Sequence, residues 1–227
     1  LNIIARDSAT FSKVIIKTDS NEGCVDSFTN TKPGMLTLRA PMDASVITPL
    51  TTVAIEIASV YLITVERAAE LILESMGLAE ESIDSDLIFK IDPFQKLVID
   101  GDDPIATVAY ASVNVANAIS MISSLLYGAG TSSKAEAEAA TLLAFAKRIG
   151  DTNLVLRKKR RILLKKYTKR LNVSASSDIS SIISSAVSVV SRTSPDVRVD
   201  TAAKNAVAQA SASASSYLLS TNTTSES

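Results

Sequence analysis

Carboxylates gather most densely at Asp100-Gly101-Asp102-Asp103. Asp100 and Asp102, with a flexible glycine between them, have the chemistry to hold Ca2+, a hard cation that prefers carboxylate oxygens. The twelve-residue calcium-loop pattern is not completed, because no Glu stands at its closing position. Asp103 before Pro104 explains the same residues as a helix start, and capping is the preferred reading. Asp84 and Asp86 carry less weight as ligands. Lys134, Glu136 and Glu138 offer an acid–base set, yet at the start of an expected helix they read as exposed charges. Gly128-Ala129-Gly130 lacks the lysine and spacing of a phosphate loop, and no serine sits in a Gly-x-Ser-x-Gly elbow.

Histidine is missing from all 227 residues. That removes the commonest general base and excludes Ser-His and Cys-His nucleophile pairs within the chain. A single cysteine, Cys24, can form neither an internal disulfide nor a multi-thiolate zinc site, and reads as a small hydrophobe. The expectation is a protein without catalytic residues and without a cofactor, Ca2+ being the one candidate.

The strongest electrostatic feature lies elsewhere. From Arg157 to Arg170, Lys or Arg fills nine of fourteen positions: Arg157, Lys158, Lys159, Arg160, Arg161, Lys165, Lys166, Lys169 and Arg170. Setting these nine aside leaves 14 bases against 24 acids, so the remainder of the chain is about ten units negative. Ile162, Leu163, Leu164 and Tyr167 form a narrow apolar stripe among the charges. A helix of this kind can dock on an acidic face of the same chain or of another copy, which is the preferred reading. A simple solvated face is the next reading, and nucleic acid or an anionic membrane surface comes after it. Nucleic acid is disfavoured because Tyr167 is the one aromatic available for stacking there. Arg157 to Arg161 also looks like a proprotein cleavage site. Asn172-Val173-Ser174 and Asn222-Thr223-Thr224 fit the N-glycosylation acceptor pattern, with Asn222 on a loose tail the better of the two.

The elements that must carry these residues change period at Thr48. Before it, Leu1 to Ile4, Phe11 to Thr18 and Met35 to Ala40 are strand candidates, separated by turn chemistry at Asn21-Glu22-Gly23 and Lys32-Pro33-Gly34. They are expected to complete a larger sheet or to pack on the helices. From Thr48 on, apolar residues recur every three or four positions. Thr48-Pro49 opens a helix with Leu50, Val53, Ala54, Ile57, Ala58 and Tyr61 on one face. Thr64 caps a second, with Ala68, Leu71, Ile72, Ser75 and Met76 on its stripe and Gly77 as its stop. An acidic, serine-rich loop follows from Glu80 to Asp86. A long helix then runs from Pro104 to Tyr127, ended by Gly128-Ala129-Gly130. Another begins near Thr131 to Ser133 and is stopped by Gly150. A basic helix spans roughly 153–171. Ile179, Ile182, Ile183, Ala186, Val187 and Val190 mark an amphipathic helix, broken at Ser194-Pro195. Ala202, Ala203, Ala206, Val207, Ala210 and Ala214 mark a last helix with a small-residue seam, and a polar tail follows.

The fold class is therefore mainly α, a small N-terminal β part followed by an α-helical bundle. The expected division is a strand module over 1–47, a helical bundle over 48–150, and a basic helix plus Ser/Ala-rich helices over 151–227. Aromatics make up only 4% of the chain, which suits close helix packing better than an aromatic-walled ligand pocket. No apolar run approaches the ~18 residues that cross a bilayer; the longest candidate, Val53 to Val65, is interrupted by Glu56 and too short. No secretory signal is visible, and a start at Leu1 is expected of a processed product or of part of something longer.

Gly23-Cys24-Val25-Asp26, Leu36 to Pro41, and Val46-Ile47-Thr48-Pro49-Leu50-Thr51-Thr52 stand in a distinctive order. With Thr64 to Ala68, Leu78, Ile91-Asp92-Pro93-Phe94 and Asp103-Pro104, that order resembles a domain of very large secreted surface proteins. Those proteins occur in cyanobacteria and marine bacteria, often beside cadherin-like or hemolysin-type calcium-binding repeats, and related stretches occur in algae. The resemblance covers about residues 20–127. Cys24 stands where a second glycine is usual, and the basic and Ser-rich end has no counterpart in the pattern. The resemblance implies an extracellular or cell-surface structural or adhesive part, and it brings no catalytic residues. The expected function is a non-enzymatic component that assembles with copies of itself or with a larger surface protein. The alternative is an intracellular scaffold subunit whose basic helix 157–170 binds nucleic acid or anionic membrane.

Overall fold

At Thr48 the backbone leaves an extended conformation and enters the first helix, as the change of period requires. The computed structural model describes residues 2–4, 15–17, 37–77, 84–90, 104–151 and 171–220. Strands β1 (Asn2–Ile4), β2 (Ile15–Lys17) and β3 (Arg39–Pro41) pair antiparallel in that order. Ile3 stands opposite Ile16, and Ile16 opposite Ala40. β3 then packs on the first helix, so the short sheet is backed by the bundle.

Helix α1 (Pro49–Tyr61) starts with a reciprocal cap: the Thr51 N–H donates to the Thr48 hydroxyl at 3.2 Å, and the Thr48 N–H to the Thr51 hydroxyl at 2.9 Å. It ends at Leu62, which takes the left-handed conformation at φ 53°. The chain bends by 113° into α2 (Val65–Met76), capped by Thr64 and stopped by Gly77 at φ 81°. A four-residue helix α3 (Leu87–Lys90) follows a turn at 84–86, too short for any periodicity to signal it. Helices α4 (Pro104–Gly128), α5 (Lys134–Gly150), α6 (Ser176–Val190) and α7 (Thr201–Ser220) complete the described chain. The fold is mainly helical, as expected.

One apolar cluster runs from Leu50 of α1 to Ala208 of α7. α5 lies at its centre, with α1, α4 and α6 all packed on it. The faces expected for α1, α2 and α6 are the buried ones, except that Tyr61, Met76 and Val187 are half-buried. Alanines such as Ala54, Ala118, Ala137, Ala144 and Ala186 are fully buried, which lets helix backbones approach closely. Phe89 and Phe145 are the buried aromatics among the described residues.

Three expectations need correction. Gly150 is not a left-handed stop; it belongs to α5, and the following residue keeps helical angles. In α7, Ala202, Ala206 and Ala210 are exposed, and the buried row is Ala208, Ser211 and Ser215. The buried row is offset from the expected alanines and consists of one alanine and two serines. Finally, Ile105–Gly128 is long and apolar enough to cross a membrane, which counting uninterrupted apolar residues did not register. Half of its most apolar stretch is buried in the bundle.

Candidate functional site: polar joints between elements

Three groups of described polar side chains lie at joints between elements. The first is the Thr-Pro-Leu-Thr-Thr element. Thr51 Oγ1 accepts from the Thr48 N–H and lies 2.7 Å from the Arg39 carbonyl, to which it donates. Thr52 Oγ1 accepts from the Arg39 N–H at 2.9 Å and donates to the Thr48 carbonyl at 2.9 Å. Two adjacent hydroxyls thus satisfy both backbone groups of Arg39. They cover the edge of β3 that β2 does not, where an open strand would otherwise invite pairing with another chain. Arg39 adds an ion pair to Glu56 at 3.7 Å. Burial pushes the Glu56 carboxyl above its ordinary range, and the Arg39 charge works against that rise.

The second joint corrects the reading of Glu138 as an exposed charge. Its side chain is buried, and Oε1 accepts from the Thr37 N–H at 2.6 Å, across 101 residues of sequence. The signal was present in the spacing: Glu138 shares a helical face with Leu142, Phe145 and Ile149, all fully buried. Glu136 was read the same way and is also engaged. It accepts from the Ser132 N–H at 2.9 Å, from the hydroxyls of Ser132 and Thr193, and from the Ser194 hydroxyl at 3.0 Å. The hydroxyls of Ser132 and Thr193 hold its carboxyl down to about 2, against a smaller opposing effect of burial. Lys134 is exposed, with Nζ 5.6 Å from the Tyr127 ring centroid.

The third joint went unnoticed in the sequence. Arg148 of α5 meets Asp178 in the first turn of α6 at 2.9 Å, with the Asp178 side chain 3% exposed. Asp178 Oδ2 also accepts from the Asn172 N–H at 3.0 Å. Asn172, the glycosylation candidate, is exposed, and its Oδ1 accepts from the Ser174 N–H at 2.9 Å. Long sequence separation hides such pairs, since nothing local marks Arg148 and Asp178 as neighbours.

The seat of α7 differs from these joints. Ser211 and Ser215 are fully buried and their hydroxyls have no hydrogen-bond partner; on α4, which α7 packs against, Ser112 and Asn114 each bury an unpartnered oxygen. α6 seats Ile179, Ile182, Ile183 and Val190 in the core, each fully buried aliphatic being worth about 1.5–3 kcal/mol. Among the described side chains, α7 seats Ala208 fully and Val207 in part. A buried methyl contributes roughly 0.8 kcal/mol, and each unpartnered hydroxyl costs about 1–3 kcal/mol. Over residues 201–216, α7 therefore buries less apolar surface than α6 does.

The remaining site candidates, Asp100, Asp102, Cys24, Asn222 and the basic run Arg157, Lys158, Lys159, Arg160, Arg161, Lys165, Lys166, Lys169 and Arg170, lie outside the described residues. The described residues that flank the basic run are both tied to the bundle. Asp151 Oδ1 accepts from the Tyr61 hydroxyl at 2.7 Å, and the Leu171 N–H donates to the Ser75 carbonyl at 2.8 Å. Burial, then the Asp151 carboxylate, raises the Tyr61 phenol above its ordinary value. Among the described residues no group of three or more Cys, Asp or Glu side chains converges as a metal site would. No family model, curated protein or solved structure matches the chain.

Proposed function

We propose that this chain is a non-enzymatic structural or adhesive component of an extracellular or cell-surface assembly, joining copies of itself or a larger surface protein. One observation carries the reading: among the described residues, Thr51, Thr52, Glu136, Glu138 and Arg148 are each engaged in fastening one element to another. Thr51 and Thr52 fasten β3 to α1, Glu138 holds the segment before β3, Glu136 holds the loop before α7, and Arg148 holds α6 to α5. The segregated charge supports association through the 157–170 segment, which is joined at both ends to a bundle that is net acidic in sequence. The extracellular setting rests on the resemblance of the Thr48-Pro49-Leu50-Thr51-Thr52 region.

Sedimentation of the full chain across a range of salt concentrations tests the proposal. Oligomers that dissociate as salt screens the charges are expected, and replacing Arg157 to Arg161 with glutamine should leave a monomer. A monomer indifferent to ionic strength overturns it. Steeply salt-dependent binding to a DNA duplex or to anionic vesicles, lost in the same variant, would establish the intracellular scaffold instead.

A further inference from the structure

We infer that α7 is an exchangeable helix, leaving its own bundle to occupy the same seat on a second copy of this chain. The occupant follows from the seat itself: whatever surface α7 fits in its own chain is present, identical, in every other copy. Three observations support the exchange.

First, over residues 201–216 α7 buries little apolar surface and two unpartnered hydroxyls. Ser211 and Ser215 are fully buried without partners, and leaving the seat returns both hydroxyls to water. Second, α7 is suited to persist as a helix when released. Seven of its residues, among them Ala202, Ala206 and Ala210, are alanine, the strongest helix former, and its 20 residues exceed the length at which isolated helices become marginal. Asp200 caps it from within its own sequence, accepting from the Ala203 N–H at 2.7 Å. Third, the connection has a defined hinge. Val197 is buried in the core, and Thr193 and Ser194 are fastened to Glu136, so the chain up to Val197 stays with its own bundle. Between Val197 and the helix, Arg198 and Asp200 are exposed, and the half-buried Val199 has to leave the core with the helix. A tether of three residues favours reaching a neighbouring seat over refolding elsewhere on the same molecule. The Lys204 ammonium, 3.0 Å from the Ser184 hydroxyl, is an exposed contact that either copy can supply.

The inference deepens the self-association reading and rests on it in requiring that copies meet. Its test uses full chain in two isotopic forms, mixed and followed by native mass spectrometry, with amide exchange read over residues 201–216. Mixed oligomers should appear slowly, and the α7 amides should exchange faster than those of α5. Ser211→Ala with Ser215→Ala removes the unpartnered hydroxyls while keeping helix propensity, so mixed oligomers should appear about tenfold more slowly. Mixed oligomers that form equally fast in that variant overturn the exchange, as do α7 amides protected like those of α5. In either case salt-dependent sedimentation would still stand, so the two readings fail separately. Binding of the opened protein to anionic vesicles in place of mixed-oligomer formation also overturns it.

Discussion

The ring of Tyr61 occupies the space that a side chain on Gly150 would need. A Cβ built on Gly150 would stand 2.1 Å from Tyr61 Cε2 and 2.4 Å from Cζ. The glycine therefore permits α1 to press its last aromatic against the end of α5, with the Tyr61 hydroxyl reaching Asp151 beyond it. Gly150→Ala should destabilise the protein by about 2 kcal/mol, because the ring must move or the helices separate. Thermal unfolding measures this. Tyr61→Ala should remove most of the penalty of the second substitution, a coupling that a double-mutant cycle reads directly. Additive effects would show that the two residues do not constrain each other.

The two threonines that satisfy Arg39 give a second prediction. Thr51→Val and Thr52→Val keep shape but remove hydroxyls, leaving backbone groups of Arg39 and Thr48 without their partners. Each should lower stability by about 1–3 kcal/mol, read as a shifted urea midpoint. Serine at either position should restore most of it, since the hydroxyl and not the methyl makes the bridge.

Leu62 combines a left-handed backbone with a side chain 78% exposed. It forfeits nothing in the core if replaced, and a β-carbon is strained at that angle. Leu62→Gly should stabilise the fold by about 1 kcal/mol, the strain relieved outweighing the added freedom of the unfolded chain. A lower melting temperature would contradict this account of the turn.

Arg148 and Asp178 form a pair from which neither member can be removed safely. Arg148→Met should cost about 3 kcal/mol, because the buried Asp178 carboxylate loses the Arg148 charge beside it. Converting both, Arg148→Met with Asp178→Leu, should recover a large part of that loss. Equilibrium unfolding of the three variants decides it: a double variant as unstable as the single one would mean the pair itself, not the orphaned charge, holds α6.

Acid should weaken the protein through Glu136. Its folded pKa of about 2 lies below the ordinary carboxylate value of 4.5, so its contribution is present above that value and is lost as pH falls towards 2. Glu136→Gln should flatten this acid limb in a stability-versus-pH series. Glu56 acts with the opposite sign. Its raised pKa means the folded state resists its ionisation, so Glu56→Gln should stabilise at neutral pH and have no effect well below the carboxylate range. Identical acid limbs in wild type and Glu136→Gln would refute the role given to the hydroxyl cluster.

What the sequence determined by itself was local. The caps at Thr48 and Thr64, the stop at Gly77, and the faces of α1, α2 and α6 were legible because each depends on residues within a turn or two of one another. Glu138 lay within reach of the same reasoning, had its place on the Leu142–Phe145–Ile149 face been weighed against its charge. The tertiary structure alone decided that Thr51 and Thr52 reach back to Arg39, that Glu138 holds Thr37, that Arg148 finds Asp178, and that Gly150 makes room for Tyr61. It also placed Ala208, Ser211 and Ser215, and not Ala202, Ala206 and Ala210, against the bundle. Helix periodicity says which face of an element is buried but not which neighbour it meets, and hydrogen bonds between distant residues exist only once packing has brought the elements together.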